Sequence, residues 1–191
     1  MKEILKYILS DYQRYQSSPV KWTFKTFLKI LLIVLIGHQH CFCYSFWLRL
    51  SSRKTIFYPF ARWKHWRLSR KYGIQIHPST KIGYGLFIGH GVGIIINVGT
   101  TIGNNCNVSQ FLSIGTNNKK AARIGDNVYI GPHVSIVGDV NIGNDVLIGA
   151  GSVVIKDIPS NSTAVGCPAK VIGENKHPEY CQDRWDCNQF K

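Results

Sequence analysis

Acidic residues are almost missing from the first third of the chain. Up to Tyr72 there are 14 Lys and Arg against only Glu3 and Asp11, a net +12; from Gly73 onward nine basic residues face eight acids. Such an imbalance admits nucleic acid, anionic lipid or an acidic polymer as partners. No zinc-finger, ribonucleoprotein or helix-turn-helix pattern accompanies the basic residues, which places nucleic acid last. The six cysteines (Cys41, Cys43, Cys106, Cys167, Cys181 and Cys187) contain no C-x-x-C pair. No export signal precedes them, so reduced thiols in the cytoplasm are expected. An unbroken apolar run is lacking too. The 19 residues between Lys29 and Arg49 carry no formal charge, close to the roughly 20 that a spanning helix needs. At the centre of that stretch lies Gly37-His38-Gln39-His40, and polar side chains there are costly in hydrocarbon. Two packed helices parted near Gly37 are expected instead.

What the chain does have is a beat of six. Ile124, Ile130, Ile136, Ile142, Ile148 and Val154 follow at that interval, with Val128, Val134, Val140 and Val146 keeping the same step four places on. A helix needs a period near 3.6 and a lone strand a period of 2, so neither fits. Gly after the aliphatic residue (Gly125, Gly131, Gly143, Gly149), then Asn or Asp, describes a short strand and a turn, repeated: the hexapeptide kind of parallel β-helix. Backward, the phase holds through Ile76, Ile82, Ile88 and Ile94, slips by two to Ile96, Ile102, Val108 and Ile114, and then meets an excess of four residues within 116–123. Four to five coils of 18 residues are expected, with that excess on a loop.

The expected organisation is a basic, aromatic-rich helical region (1–72), a β-helix (73–173) and a tail (174–191) that matches no pattern. Ile4, Leu5, Ile8 and Leu9 share one face of an amphipathic first helix, with Lys2, Lys6 and Asp11 off it. His38-x-His40-Cys41-x-Cys43 invites a metal, but its spacing fits no zinc knuckle and ordinary packing is the better reading. From Phe57 to Tyr72, aromatic residues interleave with Arg62, Lys64, Arg67, Arg70 and Lys71. Two readings stay level: a headgroup-layer contact at a membrane, or a helix that packs its aromatics on the β-helix.

The repeats, the GHGVGI segment (Gly89 to Ile94) and the closing VGCPAKVI (Val165 to Ile172) resemble the hexapeptide-repeat O-acetyltransferases, most closely their serine acetyltransferase branch. Within it, FWLRL (Phe46 to Leu50), the basic aromatic stretch and KYGIQI (Lys71 to Ile76) look like versions that acetylate capsule and exopolysaccharide sugars. The resemblance implies a left-handed β-helix, a homotrimer or dimer of trimers with active sites between subunits, and acetyl-CoA in the groove. It makes His90 the general base, which must be a neutral imidazole within reach of the acceptor hydroxyl. Backbone N–H groups near Ser113 to Thr116 would meet the oxyanion. Coenzyme A would lie against Gly131, Pro132, Gly149, Ala150, Ile155, Lys156 and Lys170, with the two glycines allowing close approach and the lysines meeting phosphates.

The branch's serine pattern has aspartate 15 residues before the histidine, where this chain has Gln75, whose side-chain oxygen would hold an imidazole N–H. It has aspartate just before the histidine, here Gly89, and Arg-His in the protruding loop, here Asn117-Asn118-Lys119-Lys120-Ala121-Ala122-Arg123. These departures lead to the expectation of a carbohydrate hydroxyl as acceptor, with L-serine as the alternative. A non-catalytic scaffold is a third reading. A metal-dependent hydratase is a fourth, which His77, His90 and His133 do not suit for want of a close histidine pair; no metal is expected. His77 and His133 are expected to be structural, His133 lining the coenzyme turn.

Overall fold

In the computed structural model, residues 2–16, 18–52, 56–117 and 120–186 are described. Four helices, α1 (Lys2–Gln13), α2 (Phe24–Ile36), α3 (His40–Ser51) and α4 (Tyr58–Tyr72), precede fifteen strands. Three parallel sheets form the faces of a β-solenoid of about four turns. The first face stacks β1 (Gln75–Ile76), β4 (Ile95–Ile96), β7 (Ser113–Gly115), β10 (Ser135–Val137) and β13 (Val153–Val154). The second stacks β2 (Lys81–Ile82), β5 (Thr101–Ile102), β8 (Arg123–Ile124) and β11 (Asn141–Ile142). The third holds β3 (Phe87–Ile88), β6 (Asn107–Val108), β9 (Tyr129–Ile130), β12 (Leu147–Ile148) and β14 (Ser162–Gly166), closed by β15 (Ala169–Glu174) in antiparallel pairing.

Register explains the irregular beat. On the first face Ile76 pairs with Ile96, Ile96 with Ile114, Ile114 with Ile136 and Ile136 with Val154. The two-residue slip therefore belongs to the turn between β3 and β4, and the four-residue excess to the loop after β7. Every one of these aliphatic side chains is buried in a single core that runs through the solenoid to Ala164 and takes in Cys41, Tyr44 and Leu48 of α3. Left-handed corners recur at Asn105, Asn127, Asp145 and Asn161, where a short polar side chain tolerates positive φ.

The helices do more than precede the solenoid: they satisfy the open edges of its first coil. Tyr44 Oη accepts from Ile76 N and donates to Ile74 O, which completes β1. Arg49 reaches Ile82 O and Gly83 O at 2.9 and 2.7 Å, beside β2. Tyr15 Oη bridges Ile88 N and O in β3, while Asp11 Oδ1 accepts from Leu86 N. An unpaired strand edge is a template for aggregation, and here side chains from α1, the turn after it and α3 occupy it.

Gly37 ends α2 at φ 75° and the chain turns by 105° into α3, the break expected there. No single helix among the described residues is long and apolar enough to cross a membrane. One expectation fails. Asp11 does not lie off the buried face of α1: it is fully buried, paired with Arg49 Nε at 2.8 Å and accepting from Ser45 Oγ. The tail, which matched no pattern, is latched down. Trp185 N donates to Asn105 Oδ1, Asn105 Nδ2 donates to Trp185 O, and the Trp185 ring joins Ile8, Leu9, Tyr12 and Phe42 in a second core. Cys187, Asn118 and Lys119 lie outside the described residues.

Candidate active site

His90 sits in the lengthened turn between β3 and β4, exposed, with φ 48°. Three further turns stack on it along one corner of the prism. Phe111 N donates to Val92 O, His133 N to Gln110 O and Gly151 N to Pro132 O. The turns carrying His90, Pro132 and Ala150, separated by up to 60 residues in sequence, are thereby brought onto a single corner. Within it the rings of Phe111 and His133 stack at 4.7 Å, so His133 is held by an aromatic neighbour. Beneath His90, Gly91 N donates to Cys41 Sγ at 3.1 Å, which ties the turn to α3.

On the adjoining first face opens a cleft of about 630 Å³ between α4 and the strands β1, β4 and β7. Arg62, His65 and Trp66 line it from the helix; Gln75, Asn97 and Ser113 line it from the solenoid. All its titratable groups are basic. Gln75 points here, and no hydrogen bond joins it to His90, so the expected amide support of the imidazole is absent within one chain. Ser113 N donates to Val134 O at 2.9 Å and Gly115 is paired with Val137 in the ladder of β7 with β10, so neither is available to an oxyanion; Thr116 is at the cleft's rim. Thr116 Oγ1 donates to Lys120 O and closes the base of the loop. Arg123, at the loop's end, is engaged by Asp139 at 2.9 Å.

Among the expected coenzyme contacts, Ala150, Ile155, Lys156 and Lys170 are exposed and Pro132 is half-buried. A Cβ on Gly131 would stand 2.9 Å from Ala150 N and from Ile148 O, and one on Gly149 would stand 2.7 Å from Val165 Cγ1. Their missing side chains admit the next coil of the same chain.

The His38–Cys43 cluster does not converge on one point, although His40 Nε2 lies 3.4 Å from Cys41 Sγ. Cys41 faces the His90 turn, Cys43 Sγ donates to Ile33 O, and His40 packs on Tyr72 with ring centroids 4.8 Å apart. Burial pushes the Cys43 thiol up to about 11 and Cys106 up to about 12, so neither is a thiolate near neutrality. Among the described residues, no group of three or more His, Cys, Asp or Glu is placed to hold a metal ion.

Sequence reasoning missed Arg62 as a site residue. Its only signal was a place in an aromatic-basic helix, and that gives no hint that the helix borders β1.

The Bacterial transferase hexapeptide (six repeats) family matches residues 121–156. The serine acetyltransferase of Staphylococcus aureus is 41% identical over 107 residues, 54% of this chain and 50% of that protein. That of Synechococcus elongatus is 38% identical over 104 residues, 52% of this chain and 43% of that protein. The chain thus spans about half the length of these curated relatives. Among solved structures, serine acetyltransferase of Neisseria gonorrhoeae in complex with serine superposes with a TM-score of 0.66 at 30% identity, over 89% of this chain and 69% of that one. These comparisons overturn the expectation of a capsule or exopolysaccharide acceptor, because the matched relatives and structures bear the name of the serine branch. The physical reason is that Gln75, Gly89 and the short loop are departures visible in sequence, whereas Arg62 comes to face Gln75 across the cleft only through the fold.

Proposed function

Because the chain belongs to the hexapeptide-repeat transferases, we propose that it is an acetyl-CoA-dependent serine O-acetyltransferase of the kind that opens cysteine synthesis. The observation that carries this reading is the likeness to a serine-bound relative over 89% of the chain, joined to a cleft on the first face that Arg62 lines and no acid does. In this reading Arg62 takes the carboxylate of L-serine, a bidentate pairing that suits a guanidinium. Gln75, Asn97 and Asn117 offer amide oxygens to its ammonium in place of aspartate. His90 removes the hydroxyl proton as the serine oxygen attacks the acetyl carbonyl. The oxyanion collapses, the C–S bond breaks, and His90 returns the proton to the departing thiolate. The products are O-acetylserine and free coenzyme A.

In the same reading acetyl-CoA lies along the corner that stacks His90 with Pro132 and Ala150, with Ile155 against the pantetheine arm and Lys156 and Lys170 near the phosphates. A neighbouring copy in a trimer walls the other side of this groove. Free-thiol release on mixing the protein with acetyl-CoA and L-serine tests the reading. Turnover with L-serine is expected; thiol release with glycan acceptors and none with L-serine would overturn it.

A further inference from the structure

The helix α2 presents to solvent a face that a water-soluble surface does not carry. Phe24, Leu28, Leu31 and Leu35 recur at spacings of four, three and four, and all are exposed, Phe24 and Leu35 by more than 70%. Phe27, Leu32 and Ile36 widen that stripe. Only the opposite side, with Ile30, Ile33 and Val34, packs on α1 and α3. Trp22 stands at the entry to the helix, and Lys21, Lys25 and Lys29 are exposed along its flank.

The element cannot span a bilayer. Thirteen residues rise about 20 Å against roughly 30 Å of hydrocarbon. Its continuation α3 turns away by 105° and is buried against the solenoid through Tyr44, Leu48 and Arg49. A second copy of the chain is a poor occupant as well. There is no acid between Asp11 and Asp126, so two α2 faces brought together would align lysines with no counter-charge. A second row of the same chemistry lies on α4 and its N-cap residue, where Phe57, Phe60, Trp63 and Trp66 are exposed. Lys64 and Arg67 lie over the Trp63 ring and Arg70 over that of Trp66. Aromatic rings with cations at their faces suit the headgroup layer.

We propose that α2 docks this protein onto an anionic phospholipid surface. The helix lies in the plane of the interface, with Phe24, Leu28, Leu31 and Leu35 inserted among the acyl chains and Lys21, Lys25 and Lys29 on the lipid phosphates. The aromatic row of α4 adds a second contact. This inference does not depend on which acceptor the cleft takes.

The test is flotation of the full chain with vesicles of phosphatidylcholine alone and of equal parts phosphatidylcholine and phosphatidylglycerol. Binding to the mixed vesicles that weakens as salt rises is expected, with little on phosphatidylcholine. Each lysine at an anionic surface contributes roughly a factor of five, so Lys21→Gln with Lys25→Gln should weaken partitioning about 25-fold. These side chains are exposed and both variants should keep the wild-type circular dichroism spectrum. Leu28→Ser with Leu31→Ser and Leu35→Ser should abolish flotation. No flotation on either vesicle overturns the proposal, as does equal binding to both. It is overturned equally if the wild-type chain stays unbound while the leucine variant shows a smaller mass by sedimentation, which would assign the face to self-association.

Discussion

At the scale of single residues, His65 and His90 divide the roles a histidine can take. His65 is buried in α4 with Nε2 3.0 Å from Tyr44 Oη. Burial first, then the positive Arg62 and the ring of His77, pushes its pKa down to about 4 from 6.5. Above pH ~6.5 the ring is neutral in both the folded and the unfolded chain and stability does not depend on it. As pH falls from there toward 4, the unfolded chain binds a proton that the folded one refuses, and stability drops, by about 3 kcal/mol for a shift of this size. Melting temperature should therefore decline across that window, and His65→Gln, which keeps a polar partner for Tyr44, should flatten the decline. An unchanged slope in the variant would assign the titration elsewhere. His90 is the opposite case, exposed and without a partner that fixes its ring. His90→Ala should lower kcat by about 10²- to 10⁴-fold with the fold intact, measured by thiol release. Arg62→Met should act on the other parameter: a carboxylate contact shared by ground and transition states raises KM for L-serine and leaves kcat nearly unchanged.

Among elements, α1 and α3 matter most because they finish the first coil. Asp11 and Arg49 are buried on both sides of their ion pair, with side-chain exposures of 0% and 8%. Breaking such a pair from one side strands a charge, and Arg49→Met should cost roughly 3–5 kcal/mol in urea denaturation. A loss below about 1 kcal/mol, typical of a surface pair, would mean that the edges of β2 and β3 close without it. None of this was legible in the sequence, for a definite reason. The solenoid announces itself because its core positions repeat: Ile76, Ile96, Ile114, Ile136 and Val154 are all aliphatic and all on one face. The slip of two and the excess of four were equally legible, since a repeat makes its own interruptions visible. An edge-capping contact has no period. Asp11 read as the polar side of an amphipathic helix because hydrophobic periodicity treats every charge as solvent-facing. Gly37 was legible as a break because a glycine amid polar residues interrupts an apolar run. The aromatics of α4 could not be divided by sequence between solvent and solenoid; most of them face solvent, while Tyr72 and Leu68 pack on the core.

For the molecule as a whole, the boundaries drawn at residues 72 and 173 separate compositions, and packing crosses both. Cys41, Tyr44 and Leu48 of α3 belong to the same core as the solenoid ladders. Trp185 of the tail belongs to the core of α1 and α2, and Gln13 Nε2 donates to Arg184 O across 171 positions of sequence. A helical region whose core is closed by the far end of the chain cannot melt independently of it. Unfolding should therefore be one cooperative transition, with coincident curves from far-ultraviolet circular dichroism, dominated by the helices, and from hydrogen-exchange protection of the strand amides of β8 to β12. Trp185→Ala, which empties a site bounded by Ile8, Leu9, Tyr12 and Phe42, should cost about 3–5 kcal/mol and move both curves together. If the helical signal were lost well before the strand-amide protection, α1 and α2 would be an appended module. The edge contacts of Tyr44, Arg49 and Tyr15 would then be dispensable to the solenoid, and the His90 turn, tied to α3 through Cys41, would outlast its support.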